Sequence, residues 1–325
     1  MPTLPILKLP ILVLINILRT IDIETVFSIS LCSRKMCYLV KNLRKKSVNL
    51  RLEIDGEKSS VEVVTPEGNF YQVKVVDGKY RHLESVNING HLVPINRSRK
   101  QGWETYWDDK MEGMQSVMEY LSDLLGIKNV TTITVTPDTL KLLDVIKERQ
   151  GNDYELGIYY QLSEQESHFI LENHPAKVLR IRGFSHNFPI GKYLKSIDSL
   201  IVPTKLLITL DDLLNMNCVE LALTGTFLIA SQIKEILQHW SIGGLQRLKY
   251  LRLYVEDFNI EDVLGELTHT RMTEQKIYKS NVEYVTFSDR LITRNDGVVA
   301  SLQYGEHFSK VQFGVWPDSE GNEYL

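Results

Sequence analysis

At 325 residues, with 43% hydrophobic and 24% charged side chains, the chain has an ordinary globular composition and exceeds one average domain. Its formal net charge of −4 hides an uneven distribution: residues 1–50 hold eight Lys/Arg against two Asp/Glu, leaving 29 against 39 in the remainder. An acidic body excludes a nucleic-acid groove, which needs clustered cations to displace counterions from phosphate, and the basic N-terminus suits an acidic protein partner.

Cys32, Cys37 and Cys218 form neither a disulfide framework nor a zinc-type C-x-x-C, so three free thiols in a reducing compartment are expected. The oily stretch Leu9 to Leu18 is too short to span a bilayer. Lys8 precedes it, Pro10 interrupts it, Arg19 ends it, and no small-residue cleavage site follows. Neither a membrane partner nor secretion is expected, and the protein is assigned to the cytoplasm or nucleus.

In chain order, Pro10 suits the first turn of a helix running from Ile11 to Ile21, apolar on more than one face. Asp22 is a good N-cap for a second helix through Val26 and Ile29, and Ser33 for a third carrying Met36, Leu39, Val40 and Leu43. The basic run Lys41 to Lys46 then reads as a solvated helix end. From Val48 the period falls to two: Val48–Ile54, Val61–Val64 and Phe70–Val76, separated by Gly-containing turns, form a three-stranded antiparallel meander. Residues 84–108 are a connecting segment in which Trp103, Tyr106 and Trp107 sit beside Asp108 and Asp109 in a loop, as packing or anchor residues.

Met111 to Leu125 is an amphipathic helix with Met114, Val117, Met118, Leu121, Leu124 and Leu125 on one side, ended by Gly126. Strand and helix then alternate: strands at Val130–Thr136, Lys177–Gly183, Ser199–Val202, Glu220–Leu223 and Tyr250–Val255, with helical stretches between them and at Ile260–Leu267. Leu179, Leu200 and Leu221 are 21 residues apart and Leu251 thirty further on, within the range of leucine-rich β–helix repeats, although the Asn of the standard repeat is missing. Such units stack strands into a parallel, curved sheet. Val282–Phe287, Gly297–Gln303 and Lys310–Trp316 read as terminal strands capping its open edge.

Nothing in this pattern carries catalysis. G-x-S-x-G, G-x-G-x-x-G after a strand, G-K-[ST] and H-E-x-x-H are all absent. His168 and His174, flanking Glu172, are six apart, fall on different helix faces and read as surface residues; Gly243-Gly244 reads as a helix terminator. No catalytic residue, metal ligand or cofactor is assigned.

The N-terminal pattern Leu9-Pro10, Val13-Leu14, Ile17-Leu18, Ile21-Asp22, Val26, Ile29-Ser30 and Ser33-Arg34-Lys35 resembles an F-box, and its variant is similar to the nematode-expanded F-box proteins. Leu12 stands where the usual pattern has Glu, and Met36 where it has an aromatic. Leu221-Ala222-Leu223-Thr224-Gly225, the helix to His239-Trp240, and Leu248 to Leu253 resemble the type-2 F-box-associated domain across roughly residues 200–260. The resemblance implies a substrate-recognition subunit of an SCF-type ubiquitin ligase, with no bond chemistry of its own. Its F-box would dock on a Skp-type adaptor, and through it a cullin, while the C-terminal domain presents an unidentified protein substrate. It places Leu9, Pro10, Leu14, Ile17, Leu18, Ile21, Leu31 and Cys32 in or directly behind the docking surface. Arg180, Arg182, Ala222 and Arg252 are the candidates for substrate contact on the sheet face.

The expected architecture is therefore mixed α+β and α/β, divided as F-box (1–47), β-meander with connecting segment (48–110), and leucine-rich-repeat-like F-box-associated domain with capping strands (111–325). A ligase-independent interaction scaffold of repeat type is the alternative.

Overall fold

Asp22 and Ser33 start two of the three N-terminal helices. In the computed structural model, which describes residues 6–44, 49–78, 83–97, 102–185, 188–256, 258–265, 267–305 and 309–324, the Asp22 carboxylate accepts the Thr25 N–H at 2.7 Å and the Ser33 hydroxyl accepts that of Met36 at 3.2 Å. Each satisfies an N–H that a helix start leaves without an intrahelical acceptor. The helices are α1 (Ile11–Thr20), α2 (Ile23–Cys32) and α3 (Arg34–Leu43), after a 3-10 turn at Ile6–Lys8. Arg44 closes the far end of α1, its Nη1 donating to the carbonyls of Leu18 and Ile21, both at 3.1 Å. A guanidinium there meets orphan carbonyls and the negative end of the helix dipole together. Lys45 and Lys46 of the basic run, and Val48 at the head of the first expected strand, lie outside the described residues.

Contacts group the chain into two units, Met1–Tyr154 and Glu155–Leu325. The expected division at 110/111 falls inside the first.

In the first unit the three helices are followed by β1 (Arg51–Asp55), β2 (Ser60–Val64), β3 (Phe70–Asp77), β4 (Ser85–Ile88), β5 (His91–Arg97), β6 (Trp103–Trp107), α4 (Lys110–Leu125), β7 (Val130–Val135) and α5 (Leu142–Gln150). The sheet runs in the order β7-β1-β2-β3-β6-β5-β4. The antiparallel meander β1-β2-β3 is present, but β7 adds parallel to β1 and β6 parallel to β3, so it forms the middle of a larger mixed sheet. Leu52, Ile54, Val61, Val63, Val73 and Val75 alternate onto one buried face, the period-two consequence of the pleat. Helix α4 carries the expected apolar set, Met114, Val117, Met118, Leu121, Leu124 and Leu125, all buried, and Gly126 ends it in the left-handed conformation (φ +69). Gly113 allows the close approach to the sheet: a Cβ there would lie 2.6 Å from the Trp107 ring and 2.7 Å from Val75.

Two expectations change here. Trp103, Tyr106 and Trp107 are strand rather than loop, with Tyr106 and Trp107 buried, because parallel pairing with β3 places them in the sheet. Asp109 is the N-cap of α4, accepting from Met111 and Glu112.

The second unit contains β8 (Glu155–Ile158), α6 (Glu164–Asn173), β9 (Val178–Ile181), β10 (Ser199–Val202), α7 (Leu210–Leu214), β11 (Glu220–Ile229), α8 (Ala230–Ser241), β12 (Tyr250–Glu256), α9 (Ile260–Leu264), β13 (His269–Arg271), β14 (Lys276–Lys279), β15 (Tyr284–Phe287), β16 (Arg290–Thr293), β17 (Val299–Gly305) and β18 (Lys310–Val315). Strands β8 to β12 are parallel and in sequence order, and Leu156, Leu179, Leu200, Leu221 and Leu251 are direct cross-strand partners along that ladder. The 21-residue spacing is thus the register of a parallel sheet. Leu156 and β8, with the following α6, escaped the sequence reading; Ser163 and Glu166 form the capping box that marks the start of α6.

Beyond β12 the sheet continues antiparallel through β18, β17, β16 and β13, so terminal strands do extend the parallel edge. The hairpin β14-β15 is different: it forms its own two-stranded ribbon. Tyr278, Val282, Val285 and Phe287 of that hairpin, with Trp316, pack on Val178, Ile201, Ala222 and Tyr250 of the parallel strands. Gly243, just past α8 with φ +99, is a helix terminator as expected. His174 is fully buried rather than at the surface, its ring 5.4 Å from that of Phe169; His168 bonds the Tyr193 hydroxyl. Among the described residues there is no cluster fit to hold a metal and no helix long and apolar enough to cross a membrane.

Candidate docking surfaces

Burial sorts the expected adaptor-docking residues into three groups. Pro10 and Cys32 are exposed; Leu9, Ile17, Ile21 and Leu31 are half-buried. Leu14 and Leu18, one helical turn apart on α1, are buried with Val26 and Val40, so they support the surface from behind and cannot touch a partner without unpacking. In their place the structure exposes Leu7, Ile11 (53%), Leu12 (72%) and Val13, consecutive or nearly so at the start of α1. Tyr38 on α3 is exposed as well. The signal for this set was the apolar character of α1 on more than one face: one stripe goes inward and the surplus is left outside. Lys8, Arg19, Arg34 and Lys35 of the same segment are exposed as well.

The helices presenting the patch are tied to the sheet of the same unit. Phe27 of α2 is buried among Tyr71 (centroids 5.7 Å apart), Trp103 (6.4 Å) and Tyr120 (5.8 Å, edge-on). The Ser30 and Tyr120 hydroxyls are 2.8 Å apart, and burial pushes the Tyr120 phenol well above its ordinary range. At the rim, Arg97 donates to Glu24 at 2.8 Å and Lys41 pairs with Asp123. Exposed pairs like these contribute little, about 0–1 kcal/mol each, so the aromatic cluster is what holds the helices in place.

The expected substrate residues do not form an open face. Ala222 is fully buried under the β14-β15 hairpin. Arg180 pairs with Glu155 and donates to the Asn281 carbonyl at 3.3 Å; Arg252 pairs with Glu283 at 2.6 Å. Only Arg182 is exposed, its guanidinium 4.8 Å above the Tyr159 ring. Glu220 is the anchor beneath the hairpin. This fully buried carboxylate accepts from the Asn281 N–H (3.0 Å) and side-chain amide (3.1 Å), from Ser319 Oγ (2.7 Å) and from Ser199 Oγ (3.2 Å). A buried charge is tolerable only when its lone pairs are filled in this way. The second tie is Glu283, which accepts from Tyr250, Arg252 and Gln312. Burial, reinforced by the Glu283 charge, pushes the Tyr250 hydroxyl far up, so it stays a donor. Sequence reasoning missed both carboxylates, since an isolated Glu in a strand gives no signal of its partners.

Residues 6–47 match the family model of the F-box domain, and residues 191–253 match that described as F-box associated. The first match covers α1, α2 and α3; the second runs from the 3-10 turn at Ile190–Tyr193 into β12. No curated protein and no solved structure matches the chain. The chain is an F-box protein carrying, in addition to the N-terminal F-box, an F-box-associated domain.

Proposed function

We propose that this protein is the substrate-recognition subunit of an SCF-type ubiquitin ligase. Its F-box docks on a Skp-type adaptor, and through it on a cullin, while residues 155–325 engage a protein substrate. The contribution is proximity: a tethered substrate meets the conjugating enzyme at a raised effective concentration, and the chain itself makes and breaks no covalent bond. This reading places it in the cytoplasm or nucleus, where that machinery works. The observation that carries the adaptor half is the exposed apolar set Leu7, Ile11, Leu12 and Val13 at the start of a helix whose inner face is buried and whose far end Arg44 closes. The leucine ladder of the parallel strands favours the leucine-rich-repeat-like description of the second unit.

The test is adaptor binding by the full chain, measured by calorimetry with a purified Skp-type adaptor. Ile11→Asp/Leu12→Asp alters only exposed positions, so it should preserve the thermal transition and weaken binding at least about 30-fold, since truncating or charging central interface residues costs on the order of 2–4 kcal/mol. Unchanged affinity in that variant overturns the docking surface. A folded wild-type chain that binds no adaptor leaves the ligase-independent scaffold standing.

A further inference from the structure

The face on which parallel strands of this kind would receive a ligand is filled by the chain's own hairpin, and the hairpin itself has two unlike edges. Its register is Lys276↔Phe287, Ile277↔Thr286, Tyr278↔Val285 and Lys279↔Tyr284, closed by the Ser280 N–H to the Glu283 carbonyl at 3.1 Å. In an antiparallel pair, bonded and non-bonded residue pairs alternate. With Ser280 and Glu283 bonded, Tyr278 and Val285 are the next bonded pair. Lys279, Ile277, Tyr284 and Thr286 therefore aim their N–H and C=O groups away from the ribbon. The β14 side obeys this: Lys279 N–H donates to Asp318 Oδ2 at 3.0 Å, and its carbonyl accepts from Ser319 N–H at 3.0 Å. The C-terminal segment thus covers that edge.

On the β15 side nothing corresponds. Gln303 accepts the Ser288 N–H at 3.1 Å, one step past the strand, but among the described residues no group bonds the backbone of Tyr284 or Thr286. Proline, a bulge and an inward charge, three of the protections that edges use, are missing from the four residues Tyr284-Val285-Thr286-Phe287. Beside this edge stand Tyr284 (71% exposed), Thr286 and, across the ribbon, Ile277 (63%). Lys279 Nζ lies 5.7 Å from the Tyr284 ring centroid.

We infer that the outer edge of β15 binds an extended segment of a partner protein by strand addition, the peptide backbone bonding Tyr284 and Thr286 and turning the ribbon into three strands. Alternate side chains of the added strand then lie beside Tyr284 and Thr286, where β-branched or aromatic residues pack best. The occupant is an unfolded or loop segment with apolar residues at every second position. This rests on the second unit being the substrate-binding part of the protein, and gives that contact a location and a chemistry.

The experiment uses the full chain and a displayed library of random twelve-residue peptides, followed by synthetic copies of the enriched sequences. Enriched peptides should carry β-branched or aromatic residues at alternating positions. On binding they should slow hydrogen exchange at the Tyr284 and Thr286 amides at least ten-fold. Thr286→Pro removes an outward N–H and no hairpin bond; it should weaken the peptides about ten-fold or more while leaving adaptor affinity unchanged. Thr286→Lys, which keeps the N–H and adds a charge to the edge, should weaken them too. Peptides that bind without protecting those two amides, or that bind both variants within two-fold of wild type, overturn the proposal. So do a library yielding no binder tighter than 100 µM and protection of the same amides by self-association alone. Loss of adaptor binding would instead count against the ligase reading, so the two failures are distinguishable.

Discussion

Replacing Phe27 with Ala tests whether the F-box helices and the sheet of the first unit fold as one cooperative body. Phe27 is 1% exposed and touches three aromatic rings that belong to β3, β6 and α4. Core Phe→Ala substitutions cost about 3–5 kcal/mol, and the rings around Phe27 leave little room for collapse, so a value near the top of that range is expected. In a unit of this size about 1 kcal/mol lowers Tm by roughly 2–4 °C, which puts the shift on the order of 10–20 °C. Scanning calorimetry of the full chain reads the shift, and hydrogen exchange reads where it acts. The β3 and β6 amides should lose protection together with those of α1, α2 and α3. Phe70→Ala, at a half-exposed neighbour, should cost under about 1 kcal/mol and serve as the control. If the helices lose protection after Phe27→Ala while β3 and β6 exchange as before, the F-box is an independent module and the reasoning fails.

Glu220→Gln should release the hairpin: weakening charged hydrogen bonds to Asn281, Ser199 and Ser319 costs about 2–4 kcal/mol, visible as faster exchange at Asn281 with the leucine-ladder amides little changed. The Thr25 N–H holds the Asp22 carboxyl below the usual aspartate range. Its folded pKa is therefore depressed, so the cap's contribution is fully present above the unfolded value near about 4 and fades as pH falls through the lower folded one. Asp22→Ala should cost about 0.5–2 kcal/mol at pH 7 and much less at pH 2–3 in urea titrations. Gly183→Ala would set a Cβ 1.6 Å from the Tyr160 carbonyl oxygen, so it should destabilise by at least about 1–3 kcal/mol, and wild-type stability would refute that packing.

Much of this was readable because local rules and global fold agree. Asp22, Ser33, Gly126 and Gly243 each perform the capping or terminating role their side chains dictate, and the α4 apolar stripe is buried as its spacing requires. The leucine spacing foretold a parallel ladder. What escaped was decided by partners distant in sequence. Trp103-Glu104-Thr105-Tyr106-Trp107 has no alternation to announce a strand, and becomes one only because β3 offers a parallel edge. Leu14 and Leu18 could not be told from Ile11 and Leu12 by hydropathy, since all four are apolar; only their burial in the folded chain separates the inward pair from the outward one. The sheet face around Ala222 was expected to be open, and its cover lies some sixty residues further on, held by Glu220 to Asn281, 61 positions away.

The bond between Gly56 N–H and the Thr134 hydroxyl joins residues 78 apart, and it sits where β1 meets β7. On a ribosome adding about 5–20 residues per second, the first strand therefore waits several seconds for its parallel neighbour to emerge. During that interval the helices are made but Phe27 has neither Trp103 nor Tyr120 to rest on, and the nascent chain carries two uncovered greasy surfaces rather than one. Synthesis thus opens a brief window in which holding factors compete with the protein's own later sequence for the inner surface.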